Sequence, residues 1–221
     1  MKNKKPYQVL KGMIKLDMCN FLTQYFFLRR RLKQTYDQTQ FISPFNKEHG
    51  DFKDPQCIGA WSIYSDPAAE LVMQNLKPVM EKSTGKKLVE TYSYLRIYEK
   101  GHELIRHKDR ASCEISATIN LGGSEWPIYI AKSSKSGKTD NKQKKYYPSN
   151  DPGEKVILNP GDMLVYRGAD YEHWREPLEG TACVQLFIHF IENKKENKDH
   201  FYDSRPFLGL ADVFKNPKIK K

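Results

Sequence analysis

His107 and Asp109 stand two apart in the run YEKGHELIRHKDR, residues 98–110, so at a strand end both side chains leave one face and can reach the same cation. A third ligand has to come from elsewhere in the chain. His173 supplies it if it lies just past the strand that begins after the turn Asn159-Pro160-Gly161-Asp162. Two imidazoles and one carboxylate on one face of an ion leave the opposite positions open for other ligands, the donor set that suits non-haem Fe(II) and oxygen chemistry. His189 is the rival third ligand, but the turn and strand before His173 favour His173. His49, His102 and His200 fall in polar surroundings and read as ordinary surface histidines.

Such a triad must be held by short strands, and from Leu88 onward the apolar residues recur with period two. Runs bounded by turn residues predict strands at 88–98, 103–107, 113–121, 126–131, 154–158, 162–166 and 182–191. Within the third run Ser116, Thr118 and Asn120 alternate with Ile115, Ala117, Ile119 and Leu121. One face is apolar and the other small and polar, which suits a cavity holding a polar ligand, with Thr118 as its contact. Upstream, apolar residues at three-to-four spacing predict a helix over 16–34, whose carboxyl end carries Arg29, Arg30, Arg31 and Lys33, as the helix dipole prefers. A second helix should start at the cap Asp66-Pro67 and run toward Gly85, kinked at Pro78. Two helices followed by seven strands predict an α+β, mainly β architecture, a double-stranded β-helix (jelly roll) buttressed by the amino-terminal helices. The expected organisation is a helical support region at 1–87, a core at 88–191 and a carboxy-terminal extension at 192–221, packed as one compact domain. In the tail, Phe201, Tyr202, Phe207, Leu208, Leu210 and Phe214 are expected to pack back onto it. Between 132 and 153, Lys132, Lys135, Lys138, Lys142, Lys144 and Lys145 lie among Ser, Gly, Asn and Asp without apolar periodicity. That pattern predicts a solvated mobile loop, with a basic substrate-facing lid as the functional alternative.

Composition narrows the classes further. The chain has 221 residues, 38% hydrophobic, enough for one core without disulfides or a structural metal. Its four cysteines form no C-x-x-C pair, which argues for buried reduced thiols. No uninterrupted apolar run approaches the ~20 residues of a membrane span and no secretory pattern opens the sequence, so a cytoplasmic protein with no membrane partner is expected. A net charge of +10 favours an acidic partner, anionic metabolite or nucleic acid.

The runs YLRIYEKGHELIRHKDRASCEISATINLGG and PGDMLVYRGADYEHWREPLEG resemble the core of the prolyl 4-hydroxylase-like Fe(II)/2-oxoglutarate dioxygenases, over residues 88–191. The resemblance implies Fe(II) held by His107, Asp109 and His173, 2-oxoglutarate and O₂ as cosubstrates, ascorbate as an accessory reductant, and Tyr98 hydrogen-bonded to 2-oxoglutarate. It implies hydroxylation of a C–H bond with release of succinate and CO₂. The substrate it suggests is a prolyl or other residue in a protein or peptide. A free amino acid, a small metabolite and a nucleic acid are the alternatives; a non-catalytic metal-binding jelly-roll module is the alternative from another class. One feature departs from the family pattern. The family carries a Lys or Arg about ten residues after the distal histidine to pair with the far carboxylate of 2-oxoglutarate. Here that position is Cys183, and no Lys or Arg occurs from Ala182 to Asn193. Arg175, two residues after His173 and on the same side of an extended chain, is the expected replacement and could grip a carboxylate with two parallel hydrogen bonds. Arg96, which shares a strand face with Tyr98, is the runner-up.

Overall fold

The computed structural model describes residues 6–140 and 145–215. Strand β1 (Tyr7–Leu10) leads to helix α1 (Leu16–Thr39), and β2 (Trp61–Tyr64) to α2 (Pro67–Thr84). The long β3 (Leu88–Glu99) and short β4 (Leu104–His107) are followed by β5 (Ile115–Gly123) and β6 (Ile128–Ile130). A hairpin of β7 (Lys138–Asp140) and β8 (Lys145–Tyr147) precedes β9 (Glu154–Val156), β10 (Met163–Tyr166), β11 (His173–Arg175) and β12 (Ala182–Glu192).

The strands form a six-stranded sheet in the order β1-β10-β5-β12-β3-β2 and a four-stranded sheet in the order β4-β11-β6-β9. All pairings are antiparallel, and together the sheets make the two walls of the expected jelly roll. The period-two pattern of β5 explains how the sheet serves two environments. Ile115, Ala117, Ile119 and Leu121 point outward into the main core, while Ser116, Thr118 and Asn120 point into the space between the sheets. The outward face is covered by the helices: α1 contributes Cys19, Leu22 and Phe26, and α2 contributes Ala69, Met73, Leu76 and Met80. Burying the apolar face under helices leaves the inner face free to be polar.

Helix α2 follows its sequence signals. Asp66 accepts a hydrogen bond from the Ala68 amide at 3.0 Å, and Gly85 closes the helix with a left-handed φ of 69° that glycine adopts without strain. Pro78 sits inside it without ending it. Helix α1 departs from expectation. It runs five residues past 34, to Thr39, so Arg29, Arg30 and Lys33 lie within it rather than at its end. Each finds a fixed anion instead: Arg29 pairs with Asp66, Arg30 with Glu99 and Lys33 with Asp37. Leu16 and Leu32, expected on the buried stripe, are exposed, and the inward stripe narrows to Cys19, Leu22 and Phe26.

Strands β1 and β2 were not expected, because four residues are too few to display a period. The 132–153 segment differs from expectation in part. It carries the β7–β8 hairpin and is anchored by Tyr146 and Ser149, both hydrogen-bonded to the buried Glu172, while Lys132, Lys135, Lys138 and Lys145 are exposed to solvent as expected. Lys142 and Lys144 lie outside the described residues. In the tail Leu208 packs against the main core, but Phe207 and Phe214 are exposed and the segment is held by ion pairs. All four cysteines are buried and unpaired. Among the described residues no helix is long and apolar enough to cross a membrane.

Candidate metal centre

Strands β4 and β11 pair so that His107 stands directly opposite His173, which brings together two residues far apart in sequence. Their rings are 4.3 Å apart. Asp109, just beyond β4, completes the group: its Oδ1 lies 3.5 Å from His107 Nε2 and 3.6 Å from His173 Nε2. His173 therefore opens a strand of its own rather than trailing the preceding one. The ligand atoms lie close enough to hold one metal ion.

The chemistry of the donors fits a divalent transition metal. His107 Nδ1 is 2.7 Å from the Ile105 carbonyl and His173 Nδ1 is 3.0 Å from the Tyr171 carbonyl, so each Nδ1–H donates to backbone and each Nε2 lone pair faces Asp109. Burial keeps His173 neutral by lowering its pKa to about 4, with His107 adding to the shift. Two neutral imidazoles and one carboxylate are what the ion requires.

A second layer fixes Asp109. Its amide donates to the Gly168 carbonyl at 2.9 Å, and a side chain at position 168 would collide with its carboxylate. Ser116 Oγ donates to Asp109 Oδ2 at 3.1 Å and lies 2.9 Å from His189 Nδ1. His189 thus reaches Asp109 through Ser116, and with Asp109 and Cys113 it forms a second group of possible ligand atoms beside the one that holds His173. On the other flank Glu172, beside His173, accepts from Arg106, Tyr146 and Ser149, joining the inserted hairpin to the ligand strand.

The triad opens into a cavity of about 620 Å³ walled by Arg96, Tyr92, Tyr94, Tyr166 and Phe187. The 40–60 segment adds Lys47, Lys53 and Asp54, and the carboxy-terminal segment adds Ala211, Asp212 and Lys215. Tyr98, Thr118 and Arg175 are buried and are not among the residues that line this cavity. Tyr98 and Arg175 both pack on the Trp126 ring, and Arg175 and Thr118 meet at Gln185. Thr118 Oγ1 and Arg175 Nη2 both donate to Gln185 Oε1, at 3.2 and 3.1 Å, and Gln185 Nε2 reaches Cys183 Sγ at 3.1 Å. Arg175 therefore crosses from the four-stranded sheet to a place beside Cys183, where the sequence lacks the expected cation. It also donates to the Trp126 carbonyl, yet it has no ion pair among the described residues and its Nε has no hydrogen-bond partner. Burial lowers its pKa accordingly. Arg96 differs: it is paired with Asp54 and donates to the Tyr98 hydroxyl at 2.7 Å. Ser116 was read as part of the polar face of its strand, whereas Gln185, Tyr166, Glu172 and Asp54 escaped the sequence reading. Only their alternation with core residues on β10 and β12 could have flagged Gln185 and Tyr166.

No protein-family profile and no curated protein sequence matches the chain. Three-dimensional comparison does find relatives. A prolyl-4-hydroxylase from Pseudomonas putida superposes with a TM-score of 0.53 at 14% identity, over 86% of this chain and 95% of that one. The chain has the fold of the non-haem 2-oxoglutarate oxygenases. HygX from Streptomyces hygroscopicus, solved with nickel and 2-oxoglutarate bound, matches over 86% of this chain and 84% of its own at a TM-score of 0.52 and 15% identity. The α-ketoglutarate-dependent carbocyclase SnoK from nogalamycin biosynthesis gives a TM-score of 0.57 at 11% identity, over 85% of this chain and 80% of that one. The fold thus serves both a prolyl hydroxylase and an enzyme of nogalamycin biosynthesis, and the site has to be argued from its own residues.

Proposed function

We propose that the chain is an Fe(II)- and 2-oxoglutarate-dependent dioxygenase that hydroxylates a C–H bond of a prolyl or other residue in a protein or peptide, releasing succinate and CO₂. The observation that carries this reading is the convergence of His107, Asp109 and His173 at one point, with both histidines held in the tautomer that offers Nε2. Bound there, Fe(II) would supply the activation of O₂ that no side chain can provide.

The chain's own residues do the rest. Arg175, a buried cation without an anionic partner, would take the far carboxylate of 2-oxoglutarate as its missing counter-ion. Tyr98, already accepting from Arg96, keeps its own hydrogen to donate to the same carboxylate, and burial raises its pKa so that it stays protonated. Thr118 and Gln185 fix the arginine's approach. Tyr92, Tyr94 and Phe187 line the outer cavity and would orient the target C–H bond and exclude water. A polypeptide substrate is supported by the lining of the cavity, to which two connecting segments contribute, Lys47, Lys53 and Asp54 from one and Ala211, Asp212 and Lys215 from the other.

Anaerobic addition of 2-oxoglutarate to the Fe(II)-loaded protein should produce a metal-to-ligand charge-transfer band, and admission of O₂ should yield succinate. His107→Ala should lose both. A wild-type protein that binds Fe(II) yet shows no such band would overturn the cosubstrate assignment.

A further inference from the structure

We propose that Asp203, in the carboxy-terminal segment, is a positioning residue for Asp109, acting through Arg110; this rests on the metal reading of the triad. Arg110 immediately follows Asp109 and grips Asp203 with two parallel bonds, Nη1 to Oδ1 at 2.5 Å and Nη2 to Oδ2 at 2.6 Å. The same carboxylate accepts from the Tyr64 hydroxyl of β2 at 2.6 Å and pairs with Lys215 at 2.8 Å. One buried side chain therefore joins the ligand loop, the sheet edge and the tail. Only 2% of Asp203 is exposed, far less than a surface ion pair would leave.

The backbone around it argues for a specific role. Tyr202, Asp203 and Ser204 have φ of 52°, 57° and 65°, three consecutive left-handed residues without a glycine. Each costs roughly 1–2 kcal/mol, so the segment keeps this shape only where other contacts hold it. The Asp203 carboxylate supplies several of those contacts, beside the Ser204 bond to the Asp199 carbonyl and the Arg205 bonds to Tyr202 and Glu70.

From Asp203 the influence reaches Asp109 by two routes. The first is covalent, since fixing the Arg110 side chain fixes the backbone step next to the ligand. The second runs through rings: the Arg110 guanidinium lies 4.4 Å over Tyr92, and Tyr92 packs 4.6 Å from His189, which hydrogen-bonds Ser116 beside the Asp109 carboxylate. A second buried ion pair, Arg205 with Glu70, anchors the same segment, and its guanidinium lies 4.9 Å over the Tyr64 ring, so it bears on the same network. The Lys77–Glu90 pair between α2 and β3 lies away from it.

The test measures Co(II) binding by the full-length protein, using calorimetry and visible absorption alongside melting temperature. Asp203→Asn and Arg110→Ala should each weaken Co(II) by roughly 10–100-fold and alter its visible spectrum, the range found for residues that orient metal ligands. The double variant should be no weaker than the worse single, because both act through one contact. Nearly half of the Arg110 side chain is exposed, so its removal is compatible with folding. Lys77→Ala, which breaks the Lys77–Glu90 pair away from this network, should lower the melting temperature yet leave Co(II) affinity unchanged. Wild-type affinity in a folded Asp203→Asn protein, additive losses in the double variant, or equal weakening by Lys77→Ala would each overturn the proposal. Undiminished Co(II) binding by His107→Ala would instead overturn the metal reading, and this inference with it.

Discussion

Arg175 shows how a single residue can record a missing partner. A buried cation is costly unless paired, and among the described residues this one has a glutamine oxygen, a backbone carbonyl and the face of Trp126 but no carboxylate. The arrangement makes sense if an anion completes it. In the absence of cosubstrate Arg175→Met should then melt no lower than wild type, since it replaces an unpaired buried charge with an apolar chain of similar length. With 2-oxoglutarate the order reverses: wild type should gain in melting temperature while the variant should not, and its affinity should fall on the order of 100-fold for two charge-assisted bonds. A thermal shift of wild-type size in the variant would refute the anchor and turn attention to Arg96. That residue is already neutralised by Asp54, which is why charge balance favours Arg175.

The elements that hold these residues were legible to the extent that they repeat. The alternation of β5 announced both its core face and its site face, and the cap Asp66-Pro67 with Gly85 announced α2. What stayed hidden was either short or cooperative. Strands β1, β2 and β11 have three or four residues each and pair at sheet edges or across the barrel, so tertiary contacts rather than local pattern define them. The triad was visible because its residue types are chemically unusual. Arg175 was visible only through what the sequence lacked at Cys183, and Gln185, which aims it, looks like any polar strand residue. The hairpin within the solvated 132–153 insertion was hidden for a related reason: its anchor, Glu172, lies outside it. That carboxylate is held below the usual range; burial opposes this, and Ser149, Tyr146 and Arg106 outweigh it. Glu172→Ala would strand Arg106 and two hydroxyls, at a cost of about 2–3 kcal/mol. It should also speed amide hydrogen exchange through 145–150. Unchanged exchange there would mean that the hairpin is held by other contacts.

At the scale of the whole molecule, buried polar groups make acid the natural denaturant. His173 and His189 are each lowered to about 4, first of all by burial, whereas an unfolded histidine titrates near ~6.5. Between those values the unfolded chain binds more protons, so stability falls as pH drops below about 6.5. The carboxylates add a second, steeper limb. Asp54 and Asp203 are held below the ordinary range; burial opposes this, but Arg96 and Tyr94 overcome it at Asp54, and Arg110, Lys215 and Tyr64 at Asp203. Their contribution is complete above an unfolded pKa of about 4 and is lost as pH falls through the depressed folded values. The melting temperature of the metal-free protein should therefore decline gently from pH 7 to 5 and sharply below about 4. Because the two limbs arise in different groups, Asp203→Asn should flatten the lower limb and leave the upper one in place. A melting temperature constant from pH 7 to 4, or one that rises on acidification, would show that the histidines between the sheets are not held neutral by burial.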